Sequence, residues 1–301
     1  MAKKIFTDTT EFFDIDYGDE IHLQSKKFKI TGHAREMRFG IEDPKYWVKK
    51  AIDIDTGVRK YIKLVFFESF ETELSGMKIN CFRDPDKEGD VLDLTKDHPL
   101  FMHGEVFTDA KGNNVRVIDV VHGMNLLLYI DSIRVSYNDY YKKYLPVILK
   151  DLVKLFDAVR FLHLNNFTHG DIRNDHVIKE NGTGNLVWID FDYNFETPES
   201  PFSLDIFGLG NILNYTIGKG FHTYYNLKND RYVYKDIIDR LDVADFSLLE
   251  SRRLINLRKL YPQIPHTLNN ILMHFSNGAD ITYESVDEII EDMNRSLEAF
   301  L

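Results

Sequence analysis

Phe167-Thr-His-Gly-Asp-Ile-Arg-Asn-Asp-His-Val-Ile178, followed by Leu186-Val-Trp-Ile-Asp-Phe-Asp-Tyr193, decides how this chain reads. A polar loop rich in His and Asp sits between two short apolar runs. The second part is an apolar strand that ends in an acid, Asp190. This order predicts a strand–turn–strand unit with Asp171 and Asp190 near its two ends, so that both carboxylates can face one site. Moving a γ-phosphoryl group needs a carboxylate to orient a hydroxyl, oxygen ligands for a divalent cation and cations on the phosphates. The loop supplies these chemical types together.

Working outward, the chain changes character once. Downstream of about residue 125 helical spacing dominates. Tyr144 to Leu164 carries Leu145, Ile148, Leu149, Leu152, Leu155, Phe156, Val159 and Leu162 on one wide stripe. Asp205–Tyr215, Ile264–Phe275 and Ser285–Phe300 are further helix candidates. Upstream, residues 20–80 read mostly as strands. Lys27–Ile30 alternates with period two, and Tyr46–Ile54 and Val58–Phe67 flank Asp55-Thr56-Gly57, a hairpin signal. Residues 86–96 look helical and end at Asp97-His98-Pro99, and Val115–Val121 is another strand. The expected class is α+β: a β-rich first lobe over residues 1–121, a helical second lobe over 122–301, and a ligand cleft between them.

Composition bounds the rest. The 301 residues are 44% hydrophobic and 28% charged, as in ordinary globular proteins, with net charge −11. So acidic a chain repels phosphate backbones, which argues against nucleic acid as the main partner. The one cysteine, Cys81, allows no internal disulfide and fits a reducing, cytoplasmic setting. No stretch approaches the roughly 18 apolar residues of a membrane span, and the N-terminus carries no secretory apolar core. Glu68, Glu71 and Glu73 read as a solvated acidic face.

Three motifs, taken in order, carry a family resemblance. His169-Gly170-Asp171 resembles the catalytic loop of protein kinases and kinase-like phosphotransferases. Asp190-Phe191-Asp192 is similar to their metal-binding Asp-Phe-Gly. Asp205-Ile-Phe-Gly-Leu-Gly210 resembles the buried Asp at the start of the large helix, which would hold the loop's backbone. The resemblance extends over roughly residues 25–300 and implies a bilobal protein-kinase-like fold, with an antiparallel β N-lobe carrying one helix and a mainly helical C-lobe. It places Lys63 on the phosphates, with Glu88, or else Asp90, as its ion-pair partner. Gly32 falls in the phosphate-covering loop Ile30–Gly40, where Arg35 or Arg38 would add charge. Asp119 and Val121 fall in the hinge that meets adenine. Asp171 orients the hydroxyl, Arg173 offsets charge on the γ-phosphate, and His169 packs the loop. Asp190 binds the metal, with Asp175 or His176 nearby.

The sequence departs from the family pattern in four places. His176 stands where the family has a metal-binding Asn, which points to Mn²⁺ as an alternative to Mg²⁺. Asp192 replaces the glycine of the triplet and adds a carboxylate near the metal. The loop Ile30–Gly40 has only two glycines. Only 14 residues separate Asp190 from Asp205, with no Ala-Pro-Glu segment, implying a truncated activation segment. The resemblance implies ATP with Mg²⁺ and a hydroxyl acceptor. A Ser/Thr-type protein kinase leads, because Ile281–Met293 resembles the final helix region of that branch. A small-molecule kinase of the aminoglycoside, sugar or choline kind follows, and a nucleotide-binding pseudokinase or scaffold is third.

Overall fold

The computed structural model describes residues 3–38, 41–74, 77–196 and 200–298. The chain divides into two compact units. The first holds Met1–Ser69, Phe82–His122 and Asp192–Asn194; the second holds Phe70–Cys81, Gly123–Phe191 and Phe195–Leu301. The architecture is α+β.

The strands come first along the chain: β1 (Ile5–Phe6), β2 (Glu20–Leu23), β3 (Lys26–Arg38), β4 (Ile41–Asp53), β5 (Arg59–Lys63), β6 (Ser69–Leu74) and β7 (Met77–Arg83). Helix α1 (Pro85–Leu94), β8 (Gly104–Thr108) and β9 (Asn114–Asp119) follow. Seven strands form one sheet in the order β1-β2-β3-β4-β5-β9-β8. Its pairings are antiparallel apart from β1 with β2. The predicted turn between β4 and β5 forms as an Asx turn. Asp53 Oδ1 accepts from the amides of Asp55 and Thr56, and Gly57 takes φ +73°. The helix expected over 86–96 begins one residue earlier, because Asp84 caps it by accepting from Lys87 N at 2.9 Å and Pro85 stands in its first turn.

Strand alternation gives this sheet two faces with different tasks. On one face Ile21, Phe28, Ile30, Ala51, Ile62 and Val117 pack with Ile15 in an apolar core. Each such fully buried large side chain contributes about 1.5–3 kcal/mol. On the other face Val48, Lys63 and Arg116 lie in register, on three adjacent strands. The core therefore fixes the sheet, and the sheet fixes where Lys63 points.

The rest of the chain holds β10 (Gly123–Asn125), α2 (Leu126–Ser132), α3 (Tyr137–Lys143), α4 (Leu145–Leu164), β11 (Val177–Glu180), β12 (Leu186–Trp188) and β13 (Tyr193–Glu196). It ends in α5 (Ser203–Gly218), α6 (Tyr224–Asn229), α7 (Arg231–Ile238), α8 (His266–Met273) and α9 (Val286–Glu298). All eight residues of the predicted apolar stripe in α4 are buried. Trp188 ties β12 to this helix by donating to Leu155 O at 2.9 Å. Strands β10, β11 and β12 pair antiparallel, and β13, β7 and β6 make a third small sheet. Among the described residues no helix is long and apolar enough to cross a membrane.

Candidate functional site

In the first unit the candidate site is built around Lys63. Strand β5 delivers it and α1 delivers Glu88. The two side chains form an ion pair at 2.6 Å with 5% and 0% of their surfaces exposed. Asp90, the alternative partner, is exposed. The second Glu88 oxygen accepts from Arg116 Nε at 3.1 Å, and Arg116 also donates to Asn114 O. Lys63 has a further carboxylate partner: Asp192 Oδ2 lies 3.1 Å from its ammonium. The same Asp192 oxygen accepts from Arg83 Nη1 at 2.7 Å.

Arg83 is held by several groups of this unit. Its Nε donates to Glu68 Oε2 at 3.0 Å, and its guanidinium lies 4.2 Å from the Tyr193 ring centre and 5.3 Å from that of Trp47. Tyr193 donates its hydroxyl to Glu68 as well, at 2.7 Å. Burial, reinforced by that hydrogen bond, pushes the Tyr193 hydroxyl well above its ordinary range. The backbone is tied too: Asp84 N donates to Asp192 O, and Lys87 Nζ donates to Tyr193 O, both at 2.7 Å. Lys63, Arg83 and Arg116 thus pair with Glu68, Glu88 and Asp192. A buried charge set survives only when paired and hydrogen-bonded in this manner. Glu68 does not lie on the solvated face that the sequence suggests for it. It is half-buried and part of this network, because Arg83 and Tyr193 come to it from afar along the chain. Glu71 is exposed as expected, and the Glu73 side chain lies outside the described residues.

The other candidates in this unit are placed as follows. Gly32 sits within β3, next to an irregularity in its pairing with β4, and takes φ +142°, a conformation that favours glycine. Ile30 to Arg38 is thus strand rather than loop; Gly40 and the Arg38 side chain lie outside the described residues. A groove of about 540 Å³ opens here, lined by Gly32, His33, Arg35, Tyr46 and Lys50 among others. Asp119, the last residue of β9, is exposed and ion-paired with Lys60. Val121 follows it, half-buried.

In the second unit the predicted catalytic loop is anchored from beneath. Asp205, in the first turn of α5, accepts from His169 N at 2.7 Å, from Gly170 N at 2.8 Å and pairs with His163 Nε2 at 3.0 Å. Burial alone would raise the Asp205 carboxyl, but His163 and the loop amides outweigh it and hold it below its ordinary value. His169 is fully buried, edge-on to Trp188 and Phe191, and its Nδ1 lies 3.3 Å from the Asp171 amide. It packs the loop.

Strands β11 and β12 then form the predicted strand–turn–strand unit, with Asp171 before it and Asp190 after it. His176 joins the two ends. Its Nδ1 donates to Asp171 O at 2.9 Å and lies 3.4 Å from Asp171 Oδ2, while Nε2 lies 3.6 Å from Asp190 Oδ2. Asp190 has φ +63°, a left-handed conformation that Asp tolerates better than most residues and that recurs at functional sites. Arg173 is forked onto Asp175, at 3.1 and 2.7 Å. Burial would raise the Asp175 carboxyl, yet the His176 ring and the Arg173 guanidinium hold it below the usual range. The structure therefore groups Asp171, His176 and Asp190, and sets Asp175 with Arg173.

These donors suit two kinds of ligand. The buried ammonium of Lys63 is a match for phosphate oxygens. Asp190 offers the oxygen ligand that hard Mg²⁺ and Mn²⁺ prefer; the adjacent His176 imidazole is a softer donor, which Mn²⁺ accepts more readily than Mg²⁺ does. Sequence reasoning missed Arg83 and Arg116. Both are charged residues on strands, and the partners that bury them are remote in sequence.

No protein-family model matches the chain. It is 25% identical over 152 residues to a protein of Acanthamoeba polyphaga mimivirus named "Putative serine/threonine-protein kinase". The matched stretch is 50% of this chain and 50% of that protein, so the chain spans about half the length of this curated relative. The likeness points, at this distance, to a kinase-like protein.

Proposed function

We propose that this protein is an ATP-dependent phosphotransferase with a bilobal protein-kinase-like fold, moving the γ-phosphoryl group to a hydroxyl and most simply to a Ser or Thr of a protein. The observation that carries the reading is the buried Lys63–Glu88 pair, formed between strand β5 and helix α1. An ammonium held this way is oriented before a phosphate arrives, which reduces the ordering cost of binding. The Asp205-anchored loop and the flanking aspartates support the same reading.

In this assignment Lys63, oriented by Glu88, binds the phosphate chain, and Gly32 and the backbone near Asp119 and Val121 take the rest of the nucleotide. Asp190, with His176 beside it, holds the divalent cation. That cation, when bound, neutralises charge on the phosphates. Asp171 accepts a hydrogen bond from the acceptor hydroxyl and orients it. Arg173 offsets negative charge, and Asp175 fixes the Arg173 fork.

A second reading, a small-molecule kinase, is favoured by one feature. Strand β13 ends at Glu196 and α5 begins at Ser203, leaving little chain for a peptide-docking segment. Incubation with γ-labelled ATP and Mg²⁺ or Mn²⁺ sorts the readings. Label in the protein itself or in a generic protein acceptor is the expected result. Label only in sugars, aminoglycosides or choline selects the second reading. Nucleotide binding without transfer to any acceptor overturns both and leaves a pseudokinase.

A further inference from the structure

Asp192 stands where the family resemblance expects glycine, and its carboxylate is committed to two cations of the first unit. One oxygen takes Arg83 at 2.7 Å and Lys63 at 3.1 Å, and both pairs are buried to within a few per cent of their surface. Lys63 thus pairs with both Glu88, at 2.6 Å, and Asp192. A phosphate group reaching Lys63 competes with these carboxylates for its ammonium. Glu88 is also tied to Arg116 and comes from a capped helix. Asp192 is the more distant of the two partners, at 3.1 Å against 2.6 Å, and Arg83 also holds it.

We propose that Asp192 is a built-in competitor of the phosphate chain for Lys63, and that Arg83 sets the strength of that competition. The inference rests on the nucleotide reading of Lys63 given above and adds a regulatory contact to it. Arg83 keeps Asp192 satisfied once Lys63 is withdrawn, so Lys63 can turn to phosphate without orphaning a buried carboxylate. Arg83 is itself fixed between Trp47 and Tyr193 and tied to Glu68, which keeps the alternative contact ready. The arrangement lowers the affinity for nucleotide in the absence of a divalent cation. Arg83 is a positioning residue in this account; it acts through Asp192.

The test is calorimetric titration with ADP in the presence of EDTA, so that metal ligation does not enter. Asp192→Asn should tighten ADP binding about tenfold, within the usual range of coupling between sites. Arg83→Gln should weaken it by a similar factor, because Asp192 then loses its 2.7 Å contact with Arg83 and holds Lys63 more strongly. Thermal unfolding of each variant checks that it is folded, and the opposite signs exclude a general loss of structure. The gain from Asp192→Asn should vanish when Lys63 is changed to Met, whereas a diffuse charge effect would persist. An Asp192→Asn protein that binds ADP no tighter than wild type in EDTA, or a gain that survives without Lys63, overturns the inference while leaving the kinase reading intact. Failure of wild type and all variants to bind ADP with or without Mg²⁺ overturns the kinase reading itself, and the competition with it.

Discussion

At the scale of single residues, two adjacent lysines show what a local pattern can and cannot say. Lys49 and Lys50 look alike in the sequence, yet Lys49 is fully buried and Lys50 is exposed. Lys49 faces the apolar core and donates to Phe12 O and Ile15 O, both at 2.7 Å, capping backbone carbonyls more than thirty positions away in sequence. Nothing near Lys49 announces that role, so it could not be read. Lys63 was readable only through the family resemblance, which places a lysine on the strand after the hairpin and an acid on the helix that follows; the pair with Glu88 forms at 2.6 Å. Burial pushes the Lys49 ammonium down to about 8 from the ordinary 10.5. Between those values the unfolded chain binds more protons than the folded one, so stability rises with pH across that window. From pH 7 to pH 10 wild type should gain roughly 2 kcal/mol over Lys49→Met in urea unfolding. Parallel pH profiles for the two proteins that rise together would show that Lys49 carries no such penalty.

Elements were legible where the buried face has a simple period. The stripe on α4 gave its length and its inward face, and the Asp55-Thr56-Gly57 tripeptide gave the β4–β5 hairpin. The small sheet of β6, β7 and β13 was not legible. Ser69-Phe-Glu-Thr-Glu-Leu74 is short and acidic, and it pairs with β7, whose other neighbour, β13, comes from a distant segment. The His169–Asp171 loop was legible as a motif, but its seat was only half so. Asp205 was expected to hold its backbone and does. The close approach of α5 was not foreseen: a Cβ on Gly208 would lie 2.6 Å from Ile172 Cβ and 2.9 Å from Ile172 O. Gly208→Ala should therefore cost about 1–3 kcal/mol by overpacking. It should also lower phosphoryl transfer, because Ile172 follows Asp171 directly. Trimming Ile172 to alanine as well should recover little, because the Cβ and the carbonyl that crowd position 208 remain. A Gly208→Ala protein as stable as wild type in urea unfolding would mean that the loop is not seated on this helix.

At the scale of the whole molecule, the α+β class and the change from strand to helix were plain in the sequence. The division of the chain was harder to read, because Asp192–Asn194 groups with the first unit although it lies deep in the second half of the sequence. Arg83 and Asp192, 109 positions apart, illustrate the difficulty: their pairing depends on tertiary placement that no local pattern encodes. The assignment as a phosphotransferase asks that Lys63 and Asp190 each be needed for phosphoryl transfer. Its most direct test is the initial rate of phosphoryl transfer from γ-labelled ATP by wild type, Lys63→Met and Asp190→Asn, each verified as folded by urea unfolding. The account predicts transfer by wild type and a fall of about 100-fold or more in each variant. Transfer that persists undiminished without Lys63 or without the Asp190 carboxylate would contradict it.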